Sequence, residues 1–240
     1  MLFIFKDYEQ FSSLKTVHNM PVILRADGRY FSKYTKHLKL EKPFDVRLRD
    51  LFIDVSCDLM AEFNPRYIYT FSDEINILLE DVPFNGRIEK LDSVFASFIS
   101  SSFMKHLMQS SDKFDVDIDS LKIPSFDCRI IMAYNNIREY FKARQNEAWR
   151  NCLNSYAQAI LNMNHSSKHT AEILYKLNKS EINDLIYDNG INISHVPTWH
   201  KRGIAVYKIQ KESVGINPKT GQKNISMKNI VYTDTEVEKL

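Results

Sequence analysis

Two short acidic segments carry residue types that could perform phosphoryl-transfer chemistry. Asp27-Gly28 ends one β-rich run, and Ser72-Asp73-Glu74 interrupts a second run that alternates apolar and polar residues. Hard divalent cations prefer oxygen ligands, and Mg²⁺ at such sites usually takes one or two carboxylates together with substrate phosphates. Gly28 has no side chain, so its carbonyl could approach a metal ion and its N–H a phosphate. A pair of metals there would activate an attacking hydroxyl and stabilise a leaving pyrophosphate.

Whether these segments meet depends on the elements that carry them. The spacing of apolar residues predicts strands at 21–27 and 126–134, helices at 47–63, 88–103 and 136–163, and a hairpin at 67–79 with residues 72–74 at its tip. This β-α-β-β-α-β order is that of the ferredoxin-like, α+β architecture, an antiparallel sheet with helices on one face. Asp27 and Asp73 are then expected at one edge of the sheet. The alternative is that one segment is only a turn and the other only a hairpin cap.

Composition sets wider limits on the function. The chain has 240 residues, 44% hydrophobic and 12% aromatic, which excludes a disordered protein and allows one large domain or two small ones. No apolar run is long enough for a transmembrane helix, and the apolar start stops at Lys6, too early for a signal peptide. Cys57, Cys128 and Cys152 form neither a disulfide nor a zinc pattern. These features predict a cytoplasmic protein without a membrane partner.

Charge is unevenly distributed, although the net charge is only +2. Residues 201–230 contain seven basic side chains and one acid, Glu212. Gly215, Pro218 and Gly221 indicate that the middle of this stretch is an exposed hairpin or loop. A solvated surface arm and a phosphate-binding arm both fit this pattern. We expect residues 1–135 to form a catalytic core and residues 136–240 a helical and basic-hairpin region packed on it, in one compact domain overall.

Seven short motifs, spread in order over nearly the whole chain, resemble the tRNA-His guanylyltransferase superfamily. They are residues 25–31 (RADGRYF), 41–45 (EKPFD), 71–74 (FSDE), 85–91 (NGRIEKL), 124–129 (PSFDCR), 140–145 (YFKARQ) and 197–203 (PTWHKRG). Members of this superfamily add nucleotides to RNA in the 3′-to-5′ direction. Their core is similar to the palm of ordinary polymerases and of nucleotide cyclases, which agrees with the element order above.

The resemblance implies roles for individual residues. Asp27, Gly28 and Asp73 match the ligands of two Mg²⁺ ions, and Glu74 matches a neighbouring catalytic acid. The implied binding site for the first nucleotide comprises Asp27, Gly28, Arg29, Tyr30, Phe31, Ser32, Lys42, Asp45, Ser72 and Asp73. A second triphosphate is implied at Arg87, Lys90 and Ser93. The implied tRNA contacts are Arg129, Arg144, Arg150, Asn151, Lys201 and Arg202.

One block departs from the family pattern. Members that act on tRNA-His carry His-Ile-Asn-Asn where this chain has Trp149-Arg150-Asn151-Cys152. The departure is typical of the branch linked to template-directed repair of 5′-truncated tRNAs. Trp149 also lies on the apolar stripe of its helix, so a plain core role is an alternative.

The resemblance therefore predicts a nucleotidyltransferase that uses Mg²⁺, ATP and GTP or another NTP. Its expected assembly is a homotetramer with tRNA lying across the subunits. Three alternatives stay open: a strict tRNA-His guanylyltransferase, a nucleotide cyclase on the same palm-like fold, and a non-catalytic tRNA-binding protein.

Overall fold

A single antiparallel sheet organises the molecule. The computed structural model describes residues 8–216 and 223–240. The strands are β1 (Val22–Gly28), β2 (Tyr67–Phe71), β3 (Glu74–Leu79), β4 (Phe126–Ile131), β5 (Ile204–Ile216) and β6 (Lys223–Asp234). They lie in the order β4-β1-β3-β2-β5-β6. The first four strands thus have the predicted ferredoxin-like arrangement, and β5 and β6 extend the same sheet beyond β2.

Seven α-helices accompany the sheet in the described part of the chain. They are α1 (Phe31–His37), α2 (Val46–Phe63), α3 (Ile88–Gln109), α4 (Ile137–Leu161), α5 (Ser167–Lys176), α6 (Lys179–Asp188) and α7 (Thr198–Arg202). The three long helices predicted from apolar spacing are confirmed as α2, α3 and α4. The periodicity carried no signal for α1 and α7, because each has only one or two turns. No described helix is long and apolar enough to cross a membrane.

The two helices of the ferredoxin-like unit lie on one face of the sheet, as predicted, whereas the helix that follows the unit lies on the other. Helices α2 and α3 bury the face that carries Val22, Leu24 and Ala26, through residues such as Phe52 and Phe103. Helix α4 instead covers part of the opposite face. There its Phe141 and Ala148 pack with buried residues of the sheet, namely Ile23, Tyr69, Phe71 and Leu78. The central strands are therefore apolar on both faces at one end, which is why their sequences are continuous apolar runs.

The C-terminal elements attach to α4 and to the sheet. Cys152, Tyr156 and Ala157 of α4 form a separate buried cluster with Ile182 and Ile186 of α6. Strands β5 and β6 pair antiparallel over their full length, as expected of a hairpin. The turn between them, with Pro218 and Gly221, lies outside the described residues.

Gly203 joins α7 to β5 in a backbone conformation that side chains disfavour. It has φ 70° and ψ −162°, and a Cβ there would lie 2.6 Å from the carbonyl oxygen of Thr70. Gly190 also has a positive φ, 83°, but a Cβ there would meet open space. We expect Gly203→Ala to lower the free energy of unfolding by about 3 kcal/mol or more, and Gly190→Ala by about 1 kcal/mol. Urea unfolding of both variants measures the difference, and equal losses would contradict the close approach.

Candidate active site

The end of β1 and the tip of the β2–β3 hairpin are in direct contact. Asp27 lies opposite Glu74 in the antiparallel register. The backbone N–H of Gly28 donates a hydrogen bond to the carbonyl oxygen of Asp73, at 3.1 Å. The adjacency predicted for the two acidic segments is therefore confirmed, because the hairpin turns where β1 ends.

Asp27 and Asp73 are carboxylates held in an unfavourable environment. Burial is the largest cause that raises the pKa of Asp73, and the neighbouring charge of Asp27 raises it further. Burial also raises the pKa of Asp27, followed by the charges of Glu74 and Asp127. Neither side chain forms a salt bridge within the described residues. A cation bound between them would relieve both the repulsion and the desolvation.

The donor set fits Mg²⁺ that completes its coordination with other oxygens. Within the described part of the chain, no group of three or more His, Cys, Asp or Glu side chains is placed to hold a metal ion. Two carboxylates with a backbone carbonyl from Gly28 are the usual protein share at a Mg²⁺-phosphate site, where substrate phosphates and water supply the rest. Asp27, Gly28 and Asp73 therefore suit such an ion.

Glu74 is already neutralised by the protein. Its carboxylate accepts two hydrogen bonds from Arg144 of α4, at 2.8 and 2.6 Å, and one from Asn76, at 2.8 Å. The side chain of Glu74 is 8% exposed and that of Arg144 is 17% exposed. The sequence assigned Glu74 to catalysis and Arg144 to tRNA. In the structure these two side chains are paired with each other.

Fewer backbone amides are available to bind phosphate than the 25–31 motif implied. A Cβ on Gly28 would lie 2.4 Å from Cδ2 of the buried Phe31, so this turn has no room for a side chain. The N–H of Gly28 is donated to Asp73, and that of Arg29 to the carbonyl of Ser125, at 2.8 Å. These two amides are occupied, which corrects the expectation that Gly28 offers its N–H to a phosphate. The remaining part of the cradle is Tyr30 to Ser32, at the start of α1.

A cavity of about 370 Å³ opens beside the carboxylates. Ser72 and Asp73 form one part of its wall, and the segment from Leu40 to Asp45 forms another. Helix α4 contributes polar side chains at three- and four-residue spacing, namely Asn151, Asn154, Ser155 and Gln158. Trp199 and His200 of α7 complete it. The size is within the range of small-molecule sites.

Asp45 shapes this cavity by fixing its loop. Its carboxylate is 3% exposed and accepts hydrogen bonds from the N–H groups of Glu41 and Arg47, at 2.7 and 2.8 Å, and from the Arg47 guanidinium. Burial alone would raise the pKa of Asp45, but these hydrogen bonds outweigh it and hold the pKa below its usual value. The neighbouring Lys42 is exposed, with Nζ 3.5 Å from Oγ1 of Thr35.

The aromatic side chains of Phe44 and His200 form a wall of the cavity that the sequence did not predict. The ring of Phe44 stacks on that of His200 with centroids 4.2 Å apart, and Nδ1 of His200 lies 2.8 Å from the hydroxyl of Tyr156. Burial, followed by the charges of Arg49 and Lys201, lowers the pKa of His200 to about 4. The imidazole is therefore neutral at pH 7. The 197–203 motif contained this histidine, but its partners come from distant segments.

The comparisons with known proteins agree with this geometry. The family model for tRNAHis guanylyltransferase (Thg1) matches residues 3–134. The chain belongs to this family. It is therefore an enzyme of the nucleotidyltransferase class.

Several relatives cover most of this chain. A tRNA(His) guanylyltransferase of Neurospora crassa is 30% identical over 85% of this chain and 71% of its own length. The uncharacterized protein R259 of Acanthamoeba polyphaga mimivirus is 28% identical over 88% of this chain and 79% of its own.

Solved structures extend the match over the C-terminal elements. A bacterial tRNA(His) guanylyltransferase (Thg1)-like protein in complex with ATP has a TM-score of 0.74 at 27% identity, covering 98% of this chain and 91% of that one. The same kind of protein in complex with GTP has a TM-score of 0.69. The tRNA(His) guanylyltransferase of Saccharomyces cerevisiae shares the fold, with a TM-score of 0.71 at 21% identity.

Residues 149–152, which depart from the tRNA-His guanylyltransferase pattern, lie in three different environments: the core, the cavity wall and the surface. Trp149 packs against the buried cluster of Cys152 and Tyr156, as in the core alternative. Asn151 lines the cavity. Arg150 is half-exposed and pairs with Glu147 on the helix surface.

The other family-implied residues lie outside the cavity. Arg87 precedes α3, Lys90 lies over the ring of Phe84, and the hydroxyl of Ser93 donates to the carbonyl of Glu89 within the helix. Lys201 donates to the carbonyl of Ser194, and Arg202 is half-buried, with its backbone carbonyl accepting from Tyr69. Arg129 pairs with Asp127 on the edge strand β4, at 3.1 Å.

The buried pair of Glu74 and Arg144 gives a testable stability difference. Arg144→Gln leaves a buried carboxylate without its cation, and we expect a loss of about 3–5 kcal/mol. The control Arg150→Gln breaks a surface pair on the same helix and should cost at most about 1 kcal/mol. The double variant with Glu74→Gln should recover part of the first loss, because no unpaired charge remains buried. Chemical unfolding measures all three, and an Arg144 variant as stable as the control would contradict the pairing.

The carboxylates at the hairpin tip give a second test. Because the folded pKa values of Asp27 and Asp73 are raised, their ionisation costs stability in the folded state. This cost begins as pH rises past the unfolded pKa and is complete once pH exceeds the folded pKa. We therefore expect Asp27→Asn to keep or raise the metal-free Tm at pH 7. Added Mg²⁺ should raise the Tm of the parent protein but not of this variant. The exposed Asp184 on α6 supplies the control, since Asp184→Asn should respond to Mg²⁺ as the parent does. An equal Mg²⁺ response in the Asp27 variant would overturn the metal assignment.

Proposed function

We propose that this protein adds nucleotides in the 3′-to-5′ direction to the 5′ end of tRNA, in a Mg²⁺-dependent, template-directed repair of truncated tRNAs. The observation that carries the proposal is the continuity of the two halves of the site. Asp73 both lines the cavity and contacts the end of β1 that carries Asp27. A nucleotide in the cavity would thus place its phosphates against the carboxylate pair.

The cavity suits a nucleoside triphosphate. The relatives solved with ATP and with GTP support nucleotides of this kind as substrates. The neutral His200 and Phe44 offer an apolar, stacked wall to a base, while Lys42 offers an ammonium group at the rim. Phe31 and Ser32, at the start of α1, line the same cavity, and their backbone amides would be available to the phosphates. Asp27, Gly28 and Asp73 would hold Mg²⁺, which when bound offsets phosphate charge and lowers the pKa of an attacking hydroxyl.

The expected reaction has two bond exchanges. The 5′-monophosphate of the RNA attacks the α-phosphate of ATP, forming an adenylylated end and releasing pyrophosphate. The 3′-hydroxyl of an incoming NTP then attacks the RNA 5′ phosphate, forming the new phosphodiester and releasing AMP. The chain's own share is positional: it holds the nucleotide and the RNA end at one acidic edge, which converts a bimolecular encounter into an oriented one.

The position of Trp149 favours repair over strict addition to tRNA-His. That residue stands where the tRNA-His-specific members have histidine, and its side chain packs into the core. A template strand can supply sequence information by pairing with the incoming base, so a side-chain code for one tRNA is not required. The same resemblance leads us to propose a homotetramer, which mass measurement in solution tests.

Truncated tRNAs separate repair from anticodon recognition. One set shares an acceptor stem and varies the anticodon, and a second set fixes the anticodon and varies the template base opposite the missing nucleotide. We expect extension rates to follow the template base. A mispaired NTP leaves polar edges unpaired, at about 1–3 kcal/mol each, so discrimination should reach tens-fold. Labelled RNA, each NTP in turn and Mg²⁺ provide the assay.

Controls in the same assay identify the site and the rival functions. Asp27→Ala and Asp73→Ala should each lower the rate by about 10³-fold or more while the protein stays folded. A preference for the tRNA-His anticodon regardless of template would indicate a strict guanylyltransferase. Cyclic product from NTP alone would indicate a cyclase, and tRNA binding without any turnover would indicate a non-catalytic binding protein.

A further inference from the structure

Charged residues form two parallel rows across the face of the sheet that α4 partly covers. The antiparallel register places Asp127 of β4, Asp27 of β1 and Glu74 of β3 side by side. Two residues further along these strands, the register places Arg129, Arg25 and Asn76 side by side. The acidic row contains Asp27, which is proposed to bind the metal. The next row of side chains on the same face contains two arginines, Arg25 and Arg129.

In the acidic row, Asp127 and Glu74 on the two outer strands are each paired with an arginine. Asp27 and Arg25, on the middle strand β1, form no such pair in the part of the chain that the structure describes. Asp127 pairs with Arg129, at 3.1 Å, and Glu74 pairs with Arg144, at 2.6 Å. Asp27 keeps its charge for a cation, as described above. The guanidinium of Arg25 makes no hydrogen bond or salt bridge within the described residues, and its Nε is buried. A buried donor without an acceptor is costly, and the cost is larger for a charged group.

The neighbours of Arg25 increase that cost. Arg129 lies directly opposite it on β4, and like charges at facing positions of an antiparallel pair repel. On the other side lies Asn76, whose side-chain oxygen is already taken by the hydroxyl of Tyr140, at 2.6 Å. The carboxylate of Asp27 lies two residues along the same strand; burial raises its pKa, and the charges of Arg129 and Arg25 lower it. No hydrogen bond or salt bridge joins Asp27 to Arg25 within the described residues, so the Arg25 guanidinium has favourable charge nearby but no bonded acceptor. A planar guanidinium in this setting is suited to a phosphate group.

The location of Arg25 separates it from the nucleotide. No residue of β1 or β4 lines the cavity, which meets the carboxylate pair through Ser72 and Asp73 of the hairpin turn. Arg25 lies on β1, next to the edge strand β4, with Asp27 two residues away. A nucleotide in the cavity and an anion at Arg25 would therefore approach the carboxylates from different strands.

We propose that Arg25, assisted by Arg129, binds the 5′-terminal phosphate of the RNA substrate. The proposal rests on the proposed function, because it assigns the place of the second reactant. Arg25 is then the group that receives the RNA end, while the cavity receives the nucleotide. An alternative source of the same chemistry is the triphosphate of a nucleotide, and the experiment below distinguishes the two.

The test compares RNA ends in the absence of turnover. Affinities of the full-length protein are measured at one salt concentration for truncated tRNA with a 5′-monophosphate and for the same tRNA with a 5′-hydroxyl. We expect the parent protein to prefer the phosphate by about tenfold or more. Arg25→Gln should reduce the preference to about twofold or less without weakening the 5′-hydroxyl RNA. Arg25→Lys should keep part of it, since the charge remains but the fork is lost.

Two comparisons make the outcome specific. Arg138→Gln removes an exposed arginine from the first turn of α4 and should leave the preference intact. ATP affinity, measured without RNA, should not change in the Arg25 variants. If it falls while the preference for the RNA phosphate persists, Arg25 serves the nucleotide and the proposal is wrong. A parent protein that shows no preference, or an Arg25→Gln variant that keeps it, also overturns the proposal.

The experiment still tests the proposal if Arg25→Gln does not fold or if the protein does not add nucleotides. Should Arg25→Gln not fold, as judged by thermal unfolding, Arg25→Lys alone decides, because an unchanged preference in that variant contradicts recognition by the guanidinium fork. Absence of nucleotide addition would defeat the proposed function, yet the binding preference requires no turnover and would still be measured.

Discussion

The partial burial of two neighbouring carboxylates, without a protein cation bonded between them, is the constraint on which the rest of this structure depends. Asp27 and Asp73 are brought together by the register of β1 with β3, and their raised pKa values show that the arrangement is unfavourable on its own. Such an arrangement persists only where the surrounding fold is stable enough to impose it. The six-stranded sheet supplies that stability, since the strands that end at the site are buried on both faces near their other ends.

Helix α4 determines which charges at this edge stay available. Arg144 from its first half neutralises Glu74, and Asn151 from its middle lines the cavity. Its last third packs against α6, through residues such as Tyr156 and Ala157. A buried ion pair contributes little net stability, but removal of one partner is strongly destabilising. The value of the pair between Glu74 and Arg144 is therefore positional. It removes a third negative charge from the edge proposed to bind the metal and fixes the helix that forms one wall of the pocket.

The sequence predicted the parts of the site that are local in the chain. The ferredoxin-like order followed from apolar periodicity, and the contact between Asp27 and the hairpin tip followed from that order. The pairing of Glu74 with Arg144 could not be predicted, because it requires α4 to cross the second face of the sheet, and apolar spacing does not say which face a helix covers. His200 was equally out of reach, since Phe44 and Tyr156, which define its environment, are far apart in sequence. Motif resemblance named Asp45 near the base, whereas only the coordinates show that its oxygens are used to fix the loop.

The allocation of charges is also consistent with the proposed binding of the RNA end at Arg25 and of the nucleotide in the cavity. A protein that neutralised every acid at the edge would hold no cation, and one that neutralised none would repel both phosphates. Here the outer acids are paired, the middle acid is free, and the arginine behind it is free as well. Because Arg25 and Asp27 share one strand, the alternation of side chains along β1 places both on the same face, two residues apart. A single strand thus presents a group for a cation and a group for an anion at adjacent positions. In the proposed function these two positions would hold a metal ion and the RNA end, and the nucleotide would occupy the cavity on the hairpin side.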